Sequence, residues 1–134
     1  MEHVFEHMAI NVPDRDRAER WYTEQLGLSV VRSVPGSMCF LADPTGRVVL
    51  ELYSNPAHPV MSFGQLHPLT FHIAFLVDDV AGEAERLVGA GASVVDPIKT
   101  VNGDTMVMLR DPFGMGLQLM KRGQPMFQAG RRTA

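Results

Sequence analysis

The feature that most constrains the fold of this chain is an internal repeat. The segment EHMAINVPD (6–14) shares the pattern His-x-Ala-x-x-Val-x-Asp with FHIAFLVDD (71–79), and the two copies are 65 residues apart. Two more landmarks follow in the same order. They are a glycine after each helical pattern (Gly27 and Gly91) and a later Asp-Pro-x-Gly turn (43–46 and 111–114). A repeat found at several landmarks predicts two copies of one supersecondary unit.

Each copy predicts the element order β-α-β-β-β. Asp14 and Asp79 are candidate N-caps after the first strands, and Gly27 and Gly91 are candidate helix stops. The expected fold class is therefore α+β, with two βαβββ modules forming a curved mixed sheet with a cleft. The chain is expected to form one domain, because neither half is long enough for a comfortable core of its own. Its parts are module 1 (about 4–54), a proline-rich linker (about 55–69), module 2 (about 70–121) and a C-terminal tail (122–134).

Composition excludes several function classes. The chain has 134 residues, of which 46% are hydrophobic and 20% charged, which is typical of a globular protein. A net charge of −3 without a basic stripe argues against a nucleic-acid partner, and no apolar run has the length of a membrane span. No secretory signal is recognised in MEHVFEHM, and the single cysteine, Cys39, fits a reducing compartment, so a cytoplasmic location is expected.

Four polar residues occupy equivalent places in the two modules. His7 and His72 begin the apolar runs of the first strands, and the last strands carry Glu51 (in Leu-Glu-Leu) and Gln118 (in Leu-Gln-Leu). Each of these residues alone has an ordinary structural explanation, and only their symmetry favours a shared site. Two imidazoles, a carboxylate and an amide carbonyl suit a divalent first-row metal, with Ni, Co, Mn, Fe and Zn as candidates.

The register of Gln118 is the weak point of this prediction. Glu51 follows the aspartate of its Asp-Pro-x-Gly turn by eight positions, whereas Gln118 follows its own by seven. A slip of one residue would turn Gln118 to the other face of the sheet. A β-bulge in one of the two strands would reconcile the spacings.

Phe40 and Met108, on neighbouring strands, are candidates for an apolar substrate-binding lining, although core packing explains them equally well.

These segments, together with DRDRAERWYTEQLGL, VVLELYSN and DPFGMGLQLM, resemble the vicinal oxygen chelate superfamily (the glyoxalase, bleomycin resistance and extradiol dioxygenase type). Within it they are most similar to bacterial glyoxalase I-like proteins, over about residues 5–121. The resemblance implies paired βαβββ modules, frequent homodimers, and a metal held at the positions of His7, Glu51, His72 and Gln118. It also implies substrate contact at Asn55, and at Asn11, where glutathione-dependent members carry a basic residue.

The sequence leaves three functions open. The first is a metal-dependent enzyme that binds a small substrate through two adjacent oxygens and transfers a proton, as a lyase or isomerase, with Glu51 as base. The second is a metal-free small-molecule or drug-binding protein, and the third an iron(II) extradiol dioxygenase. Lactoylglutathione lyase activity itself is less expected, because glyoxalase I carries a basic glutamate where this chain has Gln118 and an amide cannot act as a general base.

Overall fold

The βαβββ order occurs twice in the computed structural model, which describes residues 1–126. The first compact unit, Met1–Met61, contains β1 (Met8–Asn11), α1 (Arg15–Leu26), β2 (Ser29–Val34), β3 (Met38–Ala42) and β4 (Val48–Tyr53). The second unit begins at Ser62 and contains β5 (Ile73–Leu76), α2 (Val80–Gly89), β6 (Ser93–Val101), β7 (Asp104–Arg110) and β8 (Gly116–Lys121). A single 3₁₀ turn (Phe63–Gln65) precedes β5. Residues 127–134 of the predicted tail lie outside the described residues.

Each unit has one four-stranded mixed sheet. The strand orders are β1-β4-β3-β2 and β5-β8-β7-β6. In both sheets the first strand pairs parallel with the last, and the other neighbours are antiparallel. The α+β class and the repeated element order predicted from the sequence are confirmed.

The two helices begin as predicted. Asp14 accepts a hydrogen bond from the backbone N–H of Arg17, and Asp79 accepts one from Gly82, each at 3.0 Å. These caps satisfy backbone donors that the first turn of a helix leaves unpaired. Gly27 closes α1 in the left-handed region, at φ +67°. Among residues 1–126, neither helix combines the length and apolarity that crossing a bilayer requires.

Alternation along the strands separates a core face from an open face in each sheet. The side chains that face the helix are fully buried, and they are mostly leucines: Cys39, Leu41, Leu50 and Leu52 in the first unit, and Leu109, Leu117 and Leu119 in the second. Helix α1 contacts β3 and β4, and α2 contacts β7 and β8. The residues between these leucines therefore project from the opposite face, away from the helix.

A bulge in β4 reconciles the spacing of Glu51 with that of Gln118. Ala42 pairs with Val48 and Leu41 with Leu50, so Val49 is an additional residue in β4. The pairing of β7 with β8 has no such interruption. After the bulge Glu51 lies opposite Phe40, just as Gln118 lies opposite Met108. The expected bulge is confirmed, and Gln118 occupies the place in its sheet that Glu51 occupies in the first.

Two strands differ in extent from the apolar runs that contain them. Strand β6 extends from the apolar run over residues 92–95 to Val101, through Pro97. This is possible because β6 is an edge strand, where a proline need not donate to a neighbour. The first apolar run covers residues 4–12, but β1 pairs with β4 only over Met8–Asn11, so His7 immediately precedes the strand.

The leucine core predicts a strong dependence of stability on Leu87. This α2 residue is fully buried, whereas its neighbour Val88 is 42% exposed. Leu87→Ala should lower the free energy of unfolding by about 3 kcal/mol, because it removes buried methyl groups and leaves a cavity. Urea titration followed by circular dichroism measures this. Val88→Ala is the matched control and should cost less than about 1 kcal/mol. Equal losses in the two variants would contradict the assignment of the core face.

Candidate metal site and its surroundings

The open faces of the two sheets carry equivalent sets of residues. In the first unit, Glu51 pairs with Ala9 on one side and Phe40 on the other. In the second, Gln118 pairs with Ala74 and Met108. The small alanine side chains leave space beside the two polar side chains. Each last strand thus presents a carboxylate or amide side chain at the same register position of its open face.

His7 and Glu51 are in direct contact. The imidazole Nε2 lies 3.0 Å from Glu51 Oε2, and Nδ1 lies 2.9 Å from Oε1 of Glu6. Glu51 is only 5% exposed, so its charge needs a nearby compensating group. A neutral imidazole that donates from Nδ1 to Glu6 turns the lone pair of Nε2 towards the carboxylate of Glu51. A cation bound at Nε2 would therefore stabilise this pair, because it would lie between the lone pair and the Glu51 carboxylate.

Tyr53 is a neighbour of Glu51 that sequence reasoning missed. It lies two residues further along β4 and therefore on the same open face. A hydrogen bond from its hydroxyl to the Glu51 carboxylate, followed by partial desolvation and the negative charge of Glu51, raises the pKa of Tyr53. The signal was present in the sequence, because Glu51 and Tyr53 are two positions apart on a predicted strand.

His72 is held through one ring nitrogen. Its Nδ1 lies 2.8 Å from the carbonyl oxygen of Pro68, so Nδ1–H donates and the lone pair of Nε2 remains available in the neutral ring. Such an orienting hydrogen bond is usual for histidines that bind metals. Gly116 on β8 packs directly on this histidine, since a Cβ at that position would lie 2.9 Å from the Cβ of His72.

Gln118 lies in a pocket of about 320 Å³ within the second unit. Its side-chain nitrogen makes only a weak contact of 4.0 Å to the sulfur of Met106. Its carbonyl oxygen accepts no hydrogen bond from the part of the chain that the structure describes. Met108 lies in the same pocket, with the Asp96–Lys99 ion pair (2.7 Å) and His67 in its wall.

Asn11 and Asn55 are joined by hydrogen bonds. The amide nitrogen of Asn11 donates to the carbonyl oxygens of Asn55 (3.1 Å) and His58 (3.0 Å), and its oxygen accepts from the backbone N–H of Asn55 (2.8 Å). These bonds fix the segment that follows β4. Both asparagines also border a cleft of about 390 Å³ with Ala9 and Tyr53. Direct substrate binding by either asparagine stays a prediction.

Arg110 is a second residue that sequence reasoning missed. Its guanidinium donates to the carbonyl oxygens of Phe63 (2.9 Å), Leu66 (2.7 Å) and Gly114 (3.0 Å). It thereby ties the 3₁₀ segment to the turn between β7 and β8, and Pro68, which orients His72, follows that segment directly. No sequence pattern pointed to this role, because all three acceptors are backbone atoms.

Cys39 has no part in this chemistry. Its side chain is fully buried in β3, and burial raises the pKa of its thiol to about 11. The thiol is therefore protonated near neutral pH, and Cys39 packs as a small hydrophobic side chain.

The donor groups fit a divalent metal in kind. Two atoms bound side by side on such an ion at about 2.1 Å lie about 3 Å apart, which matches the separation of His7 Nε2 from Glu51 Oε2. His72 offers a free Nε2, and Gln118 offers a free carbonyl oxygen. Within residues 1–126, however, no three His, Cys, Asp or Glu side chains are gathered closely enough to hold an ion by themselves.

The match to a known family covers most of the chain. The profile of the Glyoxalase/Bleomycin resistance protein/Dioxygenase superfamily matches residues 4–119. The chain belongs to this superfamily. The repeated βαβββ fold is the one that the sequence resemblance implied, and the predicted family is confirmed.

Relatives within the superfamily include both enzymes and binding proteins. A probable lactoylglutathione lyase of Vibrio parahaemolyticus is 26% identical over 127 residues, which cover 88% of this chain and 90% of the relative. The structure of a lactoylglutathione lyase from Agrobacterium tumefaciens superposes with a TM-score of 0.68, at 23% identity, over 96% of this chain and all of the other. TnmS3, an antibiotic binding protein from Streptomyces sp. CB03234, superposes with a TM-score of 0.64, at 27% identity, over 89% and 94% of the two chains.

The contact between Tyr53 and Glu51 predicts that the pKa of Tyr53 depends on the charge of Glu51. In Glu51→Gln the negative charge is lost, so the pKa of Tyr53 should fall towards its ordinary value. NMR of protein labelled at the tyrosine Cζ measures this directly, since the chain has only two tyrosines. Glu24→Gln, an exposed change of the same charge on α1, is the control and should leave the Tyr53 titration unchanged. An unchanged Tyr53 pKa in Glu51→Gln would contradict the contact.

Proposed function

We propose that this protein is a divalent-metal-dependent enzyme that transfers a proton on a small substrate with two adjacent oxygens, in lyase or isomerase chemistry. His7, Glu51, His72 and Gln118 are the proposed ligands. The observation that carries the proposal is the contact of a buried carboxylate, Glu51, with an imidazole whose other nitrogen already faces a carboxylate. A bound cation would stabilise that arrangement, which supports the proposal.

A divalent ion held by these residues would act as a Lewis acid, polarising the substrate oxygens and making the adjacent C–H bond more acidic. The protein groups then have separate tasks. Glu51 accepts the proton from that carbon and returns it to a neighbouring atom. The Tyr53 hydroxyl orients the Glu51 carboxylate by a hydrogen bond to it. The burial of Glu51 keeps bulk water from the proton in transit.

The asymmetry of the two last strands supports Glu51 as the base. Gln118 occupies the equivalent place in the second sheet, but its amide has no basic lone pair of useful strength. Its role in the proposal is that of a neutral oxygen ligand. A neutral ligand lowers the negative charge around the ion, so the metal binds less tightly but withdraws electrons from the substrate more strongly.

The metal content of purified protein tests the proposal. Protein made without a histidine tag and incubated with Ni²⁺, Co²⁺, Mn²⁺, Fe²⁺ or Zn²⁺ in turn should retain about one ion per chain after gel filtration, as measured by elemental analysis. His7→Ala should lose at least about nine-tenths of it. His3→Ala, an exposed histidine in the same N-terminal segment, is the matched control and should retain the metal. A parent protein that takes up none of the five ions would refute the metal-dependent function.

Converting the neutral ligand to an anionic one gives an independent prediction. Gln118→Glu should tighten metal binding by about tenfold or more, since a carboxylate adds a negative charge to the ligand set. Competition with a fluorescent chelator measures the change in Kd. Gln65→Glu adds the same charge at an exposed position in the 3₁₀ turn and should change the Kd by less than about twofold. If both variants have the affinity of the parent, Gln118 is not a ligand.

A metal-free binding protein is the second candidate function. It is favoured by the likeness to TnmS3 and by the methionines that border the pocket of Gln118, because methionine adapts to varied apolar ligands. The two candidates differ in one result. A binding protein would take up an apolar ligand equally well with and without added metal, whereas the enzyme would need the metal to bind an oxygen-chelating substrate.

A further inference from the structure

The row of paired residues that contains Glu51 ends in an arginine. Across the first sheet, Arg32 on β2 pairs with Phe40 on β3, which pairs with Glu51 on β4. A register shift at Val31 puts Arg32 into this row. The sequence pattern of β2 gave no reason to single out this arginine.

The second sheet has the same row with different chemistry. Asp96 pairs with Met108, which pairs with Gln118, and a register shift at Val95 precedes Asp96 just as one at Val31 precedes Arg32. Asp96 is neutralised by Lys99 at 2.7 Å. The backbone is therefore repeated, but the first unit alone combines a cation at the outer end of the row with a carboxylate in the middle.

The contacts of Arg32 leave its guanidinium open to a ligand. Its central carbon lies 6.0 Å from the centroid of the Phe40 ring, and Phe40 meets the His7 ring edge-on at 5.1 Å. Within the described residues, no carboxylate forms an ion pair with Arg32.

Several other arginines among the described residues, unlike Arg32, form ion pairs with carboxylates. Arg15 pairs with Glu19, Arg86 with Glu83, and Arg122 with Asp104. Arg32 instead stacks on an aromatic ring that also contacts the proposed metal ligand His7. A cation that has no carboxylate partner among the described residues and lies beside a candidate site is available for an anionic ligand.

We propose that Arg32 binds a carboxylate at the far end of the substrate, which makes the substrate a dicarboxylate with a 2-oxo or 2-hydroxy acid at its other end. This inference rests on the proposed function, because the chelating end lies at His7 and Glu51. Strands are about 4.8 Å apart, so the backbones of Arg32 and Glu51, two strands apart, are separated by about 10 Å. The short apolar part of the substrate lies over Phe40, and the guanidinium holds the distal carboxylate through two parallel hydrogen bonds.

The charge of the protein gives Arg32 a second effect. The chain has a net charge of −3, and two of its carboxylates, Glu51 and Glu6, lie beside His7. A dianionic substrate is repelled by this field unless a local cation offsets it. Arg32 supplies that cation at one end of the row, and the bound metal supplies it at the other.

Two keto acids of equal chain length separate this role from nonspecific attraction. The probes are 2-oxoadipate and 2-oxohexanoate, which share the chelating end and differ in a terminal carboxylate or methyl group. Isothermal titration of nickel-loaded protein should show about tenfold tighter binding of 2-oxoadipate. In Arg32→Met the preference should fall to about twofold or less. Arg47→Met removes an equal charge from the exposed turn between β3 and β4, and the preference should persist.

The outcomes distinguish this inference from the proposed function. If the protein binds nickel and both keto acids equally, or if the preference survives in Arg32→Met, the role of Arg32 is overturned while the metal function stands. If the preference is lost equally in Arg47→Met, the effect is one of overall charge and the role of Arg32 is again overturned. If the protein binds neither nickel nor 2-oxoadipate, the proposed function and this inference both fall.

Discussion

Parallel pairing of the first and last strands is the constraint on which the candidate site depends. Strand β1 lies beside β4, and β5 lies beside β8, although a helix and two strands separate the members of each pair along the chain. This pairing brings the residue at the head of the first strand next to the middle of the last one. The 3.0 Å contact of His7 with Glu51 is its direct consequence. Without this pairing, His7 and Glu51 would not be neighbours in space, because they are far apart in the sequence.

Each sheet has a leucine face and an open face, so the polar residues of the site stay out of the hydrophobic core. The leucines that flank Glu51 and Gln118 are buried against the helices and supply the hydrophobic stabilisation of each unit. The polar residues between them project to the other side, where His7 and Tyr53 compensate the buried charge of Glu51. A carboxylate in the same strand but one position away would lie in the leucine core without a partner, at a cost of several kcal/mol.

The two units share one pattern of strand pairing but have chemically different side chains at equivalent positions. The rows Arg32–Phe40–Glu51 and Asp96–Met108–Gln118 are equivalent in register. The first row provides a carboxylate and, within residues 1–126, a cation without an ion pair, whereas the second provides an amide oxygen and the Asp96–Lys99 ion pair. Fold alone therefore does not assign the reaction, in a superfamily whose named relatives include both lyases and an antibiotic binding protein.

The sequence by itself determined the repeat, the element order, the helix caps and the residues His7, Glu51, His72 and Gln118 as candidates, because hydrophobic period, capping and turn chemistry are local properties. It could not determine the register of Gln118, since the bulge at Val49 depends on how β3 and β4 pair. The contacts of His72 with Pro68 and of Arg110 with three carbonyl oxygens were also decided only by tertiary structure. These interactions depend on how strands pair and loops pack, and no periodic pattern in the sequence predicts that geometry.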